Sequence, residues 1–564
     1  MEQFEIKDGI GIIPVDTTSI PSDAFRDCHD LKSVIIPESV TEIGINAFRG
    51  CDELKEITIP KPVVSIGQHA FAHCSKLEKI ELCASISVIK NWTFTHCASL
   101  KEITIPESVK QIEAEVFDAC TSLTSISLPH SIVKIGNGSF KGCNSLNSIE
   151  LPILLEEIGM YCFEGCISLQ KLTIPDSVKK IESGAFWGCC ALQEIHLPVN
   201  LETIDSKLFK DCTSLEEIEI PKGVNLIRQS PFEGCVNLKT IKVAEGNSTF
   251  DSRENCNAII RTENNSIYMG IAFTVIPHSI KRIGSNAFAG CKGLLQIHIP
   301  DSVEYIDALA FDECSELERI NLPESLRIIY FSAFRFCRRL KEFRLPKSVI
   351  KVEGNILRYC DTLQKISVEE NNPAYDSREN CNAIIHKETA TMIVACNTSL
   401  IPENIEHIGD SCFEGCKQLE KIKIPASVRS IGSRAFFDCK SLKEINIPDS
   451  VGEIEYDAFG GCENVTSLII PKSITKISKN AFSGCRPITL SILCPLIITD
   501  DMGLDISETK ILTLGTGIKK FPSNFFNDCT ALEIIFIPAK KAKYYMSRIP
   551  ASLHHLIQEL PTEK

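Results

Sequence analysis

The sequence predicts a repeat solenoid rich in β-strand, and three features of the chain lead to this fold class. A repeat of 23 residues ending in Ala-Phe-x-x-Cys recurs along most of the 564 residues. Each repeat contains a segment in which apolar and polar residues alternate, the pattern of a half-buried strand. A single repeat cannot bury its own apolar side, so stacked repeats must share one core.

The terminal cysteine sets the register of the repeat. One repeat begins at Leu54, alternates at Ile57 and Ile59, and ends at Phe71 and Cys74. The cysteine recurs every 23 residues, interrupted by two gaps of 56 residues and a last one of 44. Its positions are Cys51, Cys74, Cys97, Cys120, Cys143, Cys166, Cys189, Cys212, Cys235, Cys291, Cys314, Cys337, Cys360, Cys416, Cys439, Cys462, Cys485 and Cys529.

Each part of the repeat predicts one element. The Leu-x-x-Ile-x-Ile segment predicts a strand, and the proline that follows ends it because proline has no N–H for a ladder. The x-Ser-Val-x-x-Ile-Gly segment predicts a second short extended piece, in which glycine permits a backbone conformation that other residues resist. Ala-Phe-x-x-Cys places apolar groups three and four residues apart, which suggests one helical or 3₁₀ turn.

The phenylalanine and cysteine of the repeat are predicted core positions. Free cysteine behaves as a small apolar residue, and it is among the most buried residue types. Neighbouring cysteines would have parallel Cα–Cβ directions, from which the dihedral of about 90° across a disulfide is hard to reach. We therefore expect a phenylalanine spine and a ladder of reduced thiols. The predicted core residues are Phe48, Phe71, Phe94, Phe117, Phe140, Phe163, Phe186, Cys51, Cys74, Cys97, Cys120 and Cys143.

The pattern L-x-x-I-x-I-P-x-S-V-x-x-I-G-x-x-A-F-x-x-C resembles the BspA-like class of leucine-rich repeats. The resemblance covers roughly residues 20–485 and then one degenerate repeat to about residue 538. It implies a right-handed leucine-rich-repeat superhelix whose main parallel sheet lies on the concave side. It also implies bacterial or protozoan relatives, some of them surface adhesins that bind host matrix or plasma proteins. The family has no shared catalytic residues to carry over.

Two enlarged repeats, with inserts at about 241–275 and 366–400, contain the same decapeptide Asp-Ser-Arg-Glu-Asn-Cys-Asn-Ala-Ile-Ile. We interpret them as one enlarged repeat that was duplicated and carries an extra hairpin. Asp and Asn at such positions commonly form Asx turns. The alternative is a ligand loop in which Asp251 and Asp376 are ligands.

The predicted solenoid spans residues 31–538 and has atypical ends. Residues 486–528 are interpreted as one degenerate repeat. Residues 539–564 carry apolar side chains at helical spacing and predict an amphipathic cap helix. Residues 1–30 are expected to form an N-terminal cap and a first partial repeat, with a truncated coil built on Phe4, Ile6, Ile10, Ile12 and Ile13.

Composition and charge restrict partners and compartment. The net charge of −14 argues against nucleic acid, which calls for a basic surface. The first eight residues lack the basic start and apolar core of a signal peptide, and no run of about 18 apolar residues spans a membrane. Together with 27 cysteines, these features favour the reducing cytoplasm. The alternative is a cell-surface or secreted protein whose leader was removed.

No motif for catalysis, cofactor binding or metal binding emerges from the sequence. The 12 histidines are scattered without an H-x-x-x-H frame, and no C-x-x-C pair recurs with metal-ligand spacing. The Gly515–Gly517 segment lacks the spacing of a phosphate loop. We therefore expect neither an enzyme nor a bound metal or cofactor.

The position between the two strand isoleucines predicts an outward-facing column on the main sheet. Before about residue 230 the column carries three glutamates and no Lys or Arg, and after it three basic residues and no acid. Such a strip would orient an elongated partner. The alternative is that these are the usual polar and charged side chains of a solvent-exposed strand face, with no role in binding. The column is Thr58, Glu81, Thr104, Ser127, Glu150, Thr173, His196, Glu219, Lys242, His298, Asn321, Arg344, Ser367, Lys423 and Asn446.

Two functions from different classes follow. The first is a monomeric scaffold whose sheet contacts an unknown elongated protein or peptide. The second is a surface adhesin that binds host macromolecules or glycans.

Flanking pairs such as Lys101-Glu102 and Lys443-Glu444 predict lateral ion pairs between stacked coils, each worth about 0–1 kcal/mol.

Overall fold

The protein consists of two modules built from stacked coils of parallel β-strand. The computed structural model describes residues 4–495, 497–522, 524–527 and 529–560, so the ends of both predicted caps and three residues of the predicted degenerate repeat lie outside the described residues. The first module spans residues 1–263 and the second spans residues 264–564. Most coils contribute one longer and one shorter strand, as the repeat predicts.

The longer strands form where the Leu-x-x-Ile-x-Ile segment alternates. In Glu56–Ile59 the two isoleucines are buried and the residues before them are exposed. Parallel register pairs Ile57 with Ile80 and Ile59 with Leu82, so buried residues stack on buried residues. In the first module the strands of this series are Glu5–Lys7, Ile10–Ile12, Ser33–Val34, Glu56–Ile59, Lys79–Leu82, Glu102–Thr104, Ser125–Ser127, Lys171–Thr173, Glu194–His196, Glu217–Ile220 and Thr240–Val243.

The shorter strands end at an isoleucine that glycine often follows. A Cβ atom on Gly67 would lie 2.5 Å from the carbonyl carbon of Gly44 in the preceding coil. Glycine is thus required by the close approach of two backbones, and not by a special backbone conformation as the sequence suggested. In the first module these strands are Ser19–Ile20, Glu42–Ile43, Ser65–Ile66, Val88–Ile89, Gln111–Ile112, Lys134–Ile135, Glu157–Ile158, Lys180–Ile181, Thr203–Ile204 and Leu226–Ile227.

The second module repeats this construction. Its longer strands are Gln296–His298, Arg319–Asn321, Glu342–Leu345, Lys365–Val368, Glu444–Asn446, Ser467–Ile470, Thr489–Ile492, Ile511–Leu514, Ile534–Pro538 and Ile557–Leu560. The other series comprises Ser266–Gly270, Arg282–Ile283, Tyr305–Ile306, Ile328–Ile329, Lys351–Val352, Tyr375–Asp376, Ala383–His386, Thr391–Ala395, His407–Ile408, Ser430–Ile431, Glu453–Ile454 and Lys476–Ile477.

The Ala-Phe-x-x-Cys segment carries the chain from the shorter strand back towards the next longer one. The N–H of Cys74 donates to the carbonyl of Phe71 across 3.4 Å, which is the bonding pattern of a 3₁₀ turn. His69 and His73 have left-handed φ angles of 56° and 62°, so the turn does not continue as a helix. The N–H of Phe71 donates instead to Thr93 in the next coil, across 2.9 Å.

The core of each module is a stack of phenylalanine rings beside a column of thiols. The centroids of Phe48 and Phe71 lie 5.2 Å apart, and their planes differ by 3°. The Sγ of Cys74 donates to the carbonyl oxygen of Phe48 across 3.1 Å. All twelve predicted core residues, from Phe48 to Phe186 and from Cys51 to Cys143, are 0% exposed.

Both inserts contain the antiparallel strands expected of an extra hairpin. Phe250–Asp251 pairs with Ala258–Arg261 in the first copy, and Tyr375–Asp376 pairs with Ala383–His386 in the second. The connections contain the 3₁₀ helices Arg253–Asn255 and Arg378–Asn380, and another 3₁₀ helix, Thr262–Asn264, follows the first hairpin.

The N-terminal coil differs from the prediction. Phe4 stacks on Phe25 with centroids 5.5 Å apart, and Ile13 is buried at 7% exposure. Ile10 and Ile12, which were expected in the core of the cap, are instead 51% and 44% exposed. The hairpin of Glu5–Lys7 with Ile10–Ile12 presents both isoleucines on its outer side.

The degenerate repeat predicted at residues 486–528 is two coils. Thr489–Ile492 pairs in parallel with Ile511–Leu514, which pairs in turn with Ile534–Pro538. The coil that begins at Thr489–Ile492 lacks the signature cysteine, and it buries Met502 and Ile506 before the next strand begins. Cysteine spacing therefore could not reveal it.

The predicted C-terminal cap helix is also wrong. The tail forms a 3₁₀ turn at Ala539–Lys541, an α-helix of five residues at Ala542–Met546 and a 3₁₀ helix at Ala551–Leu556. Pro550 interrupts the helical pattern because it lacks an N–H and disfavours a helical residue before it. The last described residues, Ile557–Leu560, extend the sheet by pairing in parallel with Ile534–Pro538.

Candidate binding surface on the longer strands

The outward positions of the longer strands form a column of exposed side chains in each module. Thr58 lies beside Glu81 and Glu219 lies beside Lys242 in parallel register. Ser367 is half-buried. The other predicted column residues are exposed, namely Thr58, Glu81, Thr104, Ser127, Glu150, Thr173, His196, Glu219 and Lys242 in the first module and His298, Asn321, Arg344, Lys423 and Asn446 in the second.

Three of the nine column residues in the first module are acidic, and one, Lys242, is basic. Glu81 is partly neutralised, because Lys79 Nζ lies 2.7 Å from its Oε1 and Thr58 Oγ1 donates to its Oε2 across 3.3 Å. The hydrogen bond from Lys79 lowers the pKa of Glu81. Within the described part of the chain Glu150 and Glu219 form no ion pair. Glu150 therefore presents uncompensated charge to the solvent, whereas Glu219 lies beside Lys242 in the parallel register without a direct ion pair.

The basic positions of the column in the second module are largely neutralised. Arg344 Nη2 lies 2.6 Å from Oε1 of Glu369, and Lys423 Nζ lies 2.6 Å from Oε1 of Glu403. Neither glutamate belongs to the column, so sequence inspection of the column alone missed both pairs. The column of the first module thus carries more charge that is not neutralised by ion pairs than the column of the second module.

Lateral ion pairs join the edges of adjacent coils, as the flanking pairs predict. Lys101 Nζ lies 2.8 Å from Oε2 of Glu78, and Lys443 Nζ lies 2.8 Å from Oε2 of Glu420. Both pairs are well exposed, and solvent screening makes each worth little stability. They hold neighbouring coils in register beside the column.

Half-buried aromatic residues on the turns were missed by the sequence analysis. Trp92 stacks on His69 with centroids 4.7 Å apart, and its Nε1 donates to Oε2 of Glu115 across 3.0 Å. Trp187 Nε1 donates to Oδ2 of Asp211 across 3.1 Å. The separation of 23 residues between His69 and Trp92 was the available signal, because equivalent positions of adjacent repeats stack.

The identical decapeptides form local turns, as interpreted from the sequence. Oδ1 of Asp251 accepts hydrogen bonds from the backbone N–H and Nε of Arg253, at 3.2 and 2.9 Å. Asp376 makes the same two contacts with Arg378, at 3.3 and 2.9 Å. Each carboxylate is thus engaged by the arginine two residues further on.

The repeat pattern matches a known family along most of the chain. The family described as BspA type leucine rich repeat region, in six copies, matches residues 18–147, 133–259, 267–383 and 392–502. The chain belongs to this family. No curated protein is significantly similar to this BspA-type protein over its sequence.

Solved structures with leucine-rich repeats are similar to the BspA-type protein at low identity. A leucine-rich repeat protein from Bacteroides ovatus is 22% identical, with 90% of this chain and 92% of the other covered and a TM-score of 0.33. One from Eubacterium ventriosum is 19% identical, with coverages of 69% and 83% and a TM-score of 0.36. A leucine rich cell surface protein from Faecalibacterium prausnitzii is 20% identical, with coverages of 82% and 93% and a TM-score of 0.34.

The exposed column of the BspA-type protein carries polar and charged side chains. Among the described residues, no three His, Cys, Asp or Glu side chains converge as metal ligands. The helices that the structure describes are too short and too polar to cross a membrane. The columns of the two modules together present hydroxyl groups, carboxylates, imidazoles and basic groups at the outward position of successive coils.

Proposed function

We propose that this BspA-type protein is a non-enzymatic binding protein that contacts a protein or peptide along the exposed column of its first module. The observation that carries the proposal is that Glu150 and Glu219 are exposed and form no ion pair among the described residues, at the outward position of coils whose inner residues, such as Ile149 and Ile218, are buried. The stacked coils fix the spacing of these groups before a partner arrives. Such preorganisation reduces the entropy that binding must overcome.

The column is suited to a partner with basic side chains. Complementary charge accelerates association and sets specificity more than it adds affinity. The Ser and Thr residues between the glutamates supply hydroxyl donors and acceptors without imposing bulk. A basic, extended protein segment is therefore the favoured partner, and the net charge of −14 adds long-range attraction.

The test is comparative binding with native partners identified by affinity capture. The variant Glu81→Lys/Glu150→Lys/Glu219→Lys reverses the column, whereas Glu107→Lys/Glu202→Lys/Glu245→Lys makes the same change in net charge at other exposed sites. We expect the first variant to lose the partners and the second to retain them. Equal retention by both variants would eliminate the column as the binding site.

We also propose a reducing compartment for the BspA-type protein. Support comes from thiols such as Cys97 and Cys120, which are fully buried and donate to backbone carbonyls at 3.1 and 3.2 Å. Thiol titration of the native-source protein, unfolded without reductant, should report most of its 27 cysteines as reactive. Few reactive thiols, together with recovery in the cell-surface fraction, would favour the adhesin alternative.

A further inference from the structure

The outward column of the first module begins with apolar residues. Ile35 is 82% exposed, Ile12 is 44% exposed and Ile10 is 51% exposed. Ile10 pairs with Ser33 and the next residue pairs with Val34, so the register places Ile12 beside Ile35. From Thr58 onwards the same position is polar or charged, which makes the first two coils an exception. We call Ile10, Ile12 and Ile35 the apolar patch.

Folding does not explain the apolar patch. The inner positions of the same coil are filled by Val34 and Ile36, at 7% and 6% exposure, and these two residues supply the core contacts. A β-branched residue suits a strand, but Thr58 shows that threonine serves the same outward position in the next coil. Clustered apolar side chains with a polar rim mark interaction sites on soluble proteins.

The surroundings of the apolar patch define its rim and its continuation. Glu5 pairs with Ile12 and Lys7 pairs with Ile10 across the antiparallel hairpin, so charged residues close one side. On the other side the column continues through Thr58 to Glu81. The patch therefore opens directly onto the acidic column and does not stand alone.

We propose that the partner is an extended protein segment whose apolar side chains cover the apolar patch and whose Lys or Arg side chains then follow the acidic column. This inference rests on the proposed function and specifies the partner's chemistry. Two features determine it: the exposed isoleucines favour an apolar contact, and the exposed carboxylates of Glu150 and Glu219, which form no ion pair among the described residues, favour cations. Both lie at the same outward position of successive coils of the first module, so one chain can contact both.

The spacing of the coils sets the spacing of the partner's residues. Coils repeat about every 4.8 Å, and an extended chain advances about 3.4 Å per residue. Glu81, Glu150 and Glu219 lie two, five and eight repeats of 23 residues after the first repeat's Ile35. The matching cations therefore fall about 3, 7 and 11 residues beyond the apolar anchor.

The probe is a fluorescein-labelled peptide of 14 residues with Leu-Ile-Leu at positions 1–3, Lys at positions 5, 9 and 13, and Gly or Ser elsewhere. A second peptide has the reverse order, so that both chain directions of the partner along the column are tested. Two control peptides replace either Leu-Ile-Leu by Ser or all Lys by Glu. Binding is measured by fluorescence anisotropy against the full chain.

We expect one order to bind and the Glu-containing control to bind at least tenfold more weakly. The variant Ile12→Ser/Ile35→Ser should raise the Kd of the full peptide about tenfold or more, yet leave the affinity for the Ser control peptide unchanged. Val64→Ser, at another apolar residue that is 58% exposed, is the matched control and should change nothing. Circular dichroism checks that all variants are folded.

Other results overturn the inference and separate it from the proposed function. If Glu81→Lys/Glu150→Lys/Glu219→Lys releases the native partners but Ile12→Ser/Ile35→Ser affects neither these partners nor the peptide, the column binds without the apolar patch. Failure of both peptide orders to bind also overturns it. A wild-type dimer in light scattering that Ile12→Ser/Ile35→Ser converts to a monomer would show that a second copy covers the patch.

Discussion

The cysteine of each repeat, taken at the scale of the residue, combines burial with one hydrogen bond. Cys97 is fully buried, and its Sγ donates to the carbonyl oxygen of Phe71 across 3.1 Å. Burial, assisted by the neighbouring thiol of Cys120, raises the pKa of Cys97 well above its usual value. The thiol therefore stays protonated and remains a donor. Alanine would leave a void at this position, and the hydroxyl of serine costs more to bury.

We predict that the first module loses stability as the pH rises above about 9, the usual thiol value. Burial raises the pKa of Cys235 to about 12 and raises that of the other ladder thiols in the same direction. Since the folded state holds these protons more tightly, the stabilisation is complete below pH 9 and is lost towards the folded pKa. Each thiol lowers the free energy of unfolding by about 1.4 kcal/mol per pH unit in this window.

Urea unfolding at pH 8, 9 and 10 under reductant, followed by the fluorescence of Trp92 and Trp187, measures this dependence. Both tryptophans of the chain belong to the first module. Cys97→Ala should reduce the slope of the unfolding free energy against pH by the contribution of one thiol. Cys83→Ala, at an exposed position, should leave this slope unchanged. An identical slope in wild type and Cys97→Ala would contradict the prediction.

At the scale of the element, an asparagine joins each insert to the coil before it, and in the second insert this residue, Asn372, is buried. Asn372 Nδ2 donates to the carbonyls of Pro346 and Val349, both at 2.9 Å. Its Oδ1 accepts from the backbone N–H groups of Ala374 and Tyr375, at 2.9 and 2.8 Å. In the other insert, Asn247 makes the four equivalent contacts. The four bonds use the full geometry of one amide, which is why the position requires asparagine.

We predict that Asn372→Ala lowers the free energy of opening of the second insert by about 3 kcal/mol, because buried carbonyl and N–H groups lose their partners. Asn372→Asp should be no better, since its carboxylate faces two carbonyl oxygens. Hydrogen exchange over residues 372–395 measures the effect. Glu388→Ala, at an exposed position of the same insert, is the control and should retain wild-type protection. Wild-type exchange in Asn372→Asp would contradict the role given to the amide donor.

At the scale of the whole molecule, periodic features were predictable from the sequence and interruptions were not. The 23-residue spacing was enough to predict the strands, the phenylalanine stack and the exposed position of Glu81, because stacking repeats one environment in every coil. It could not reveal that Lys79 neutralises Glu81, since that contact depends on side-chain conformation. It also missed the extra coil that begins at Thr489–Ile492, which lacks the marker cysteine.

At the two ends of the chain, the sequence pattern also fails to predict the structure. Their apolar character alone predicts that Ile10 and Ile12 are core residues. The register of the hairpin instead turns both side chains outwards. In the tail, Leu553 and Leu556 have helical spacing, yet Pro550 and pairing with Ile534–Pro538 decide the conformation. Where no neighbouring repeat fixes the register, local pattern alone is ambiguous between helix and strand.

Stacking also predicts how the first module responds to a defect in its core. Phe117 lies between Phe94 and Phe140, with centroid distances of 5.5 and 5.4 Å. Phe117→Ala should lower the free energy of unfolding by about 3–5 kcal/mol by leaving a cavity, and Phe117→Leu should lower it considerably less.

Because each coil contacts mainly its neighbours, the stability of the module is approximately a sum of local terms. Hydrogen exchange should therefore increase most in the coils of Phe94, Phe117 and Phe140 and little in the coil of Phe209. Uniform loss of protection throughout residues 4–263 would instead show that the module unfolds as a single cooperative unit.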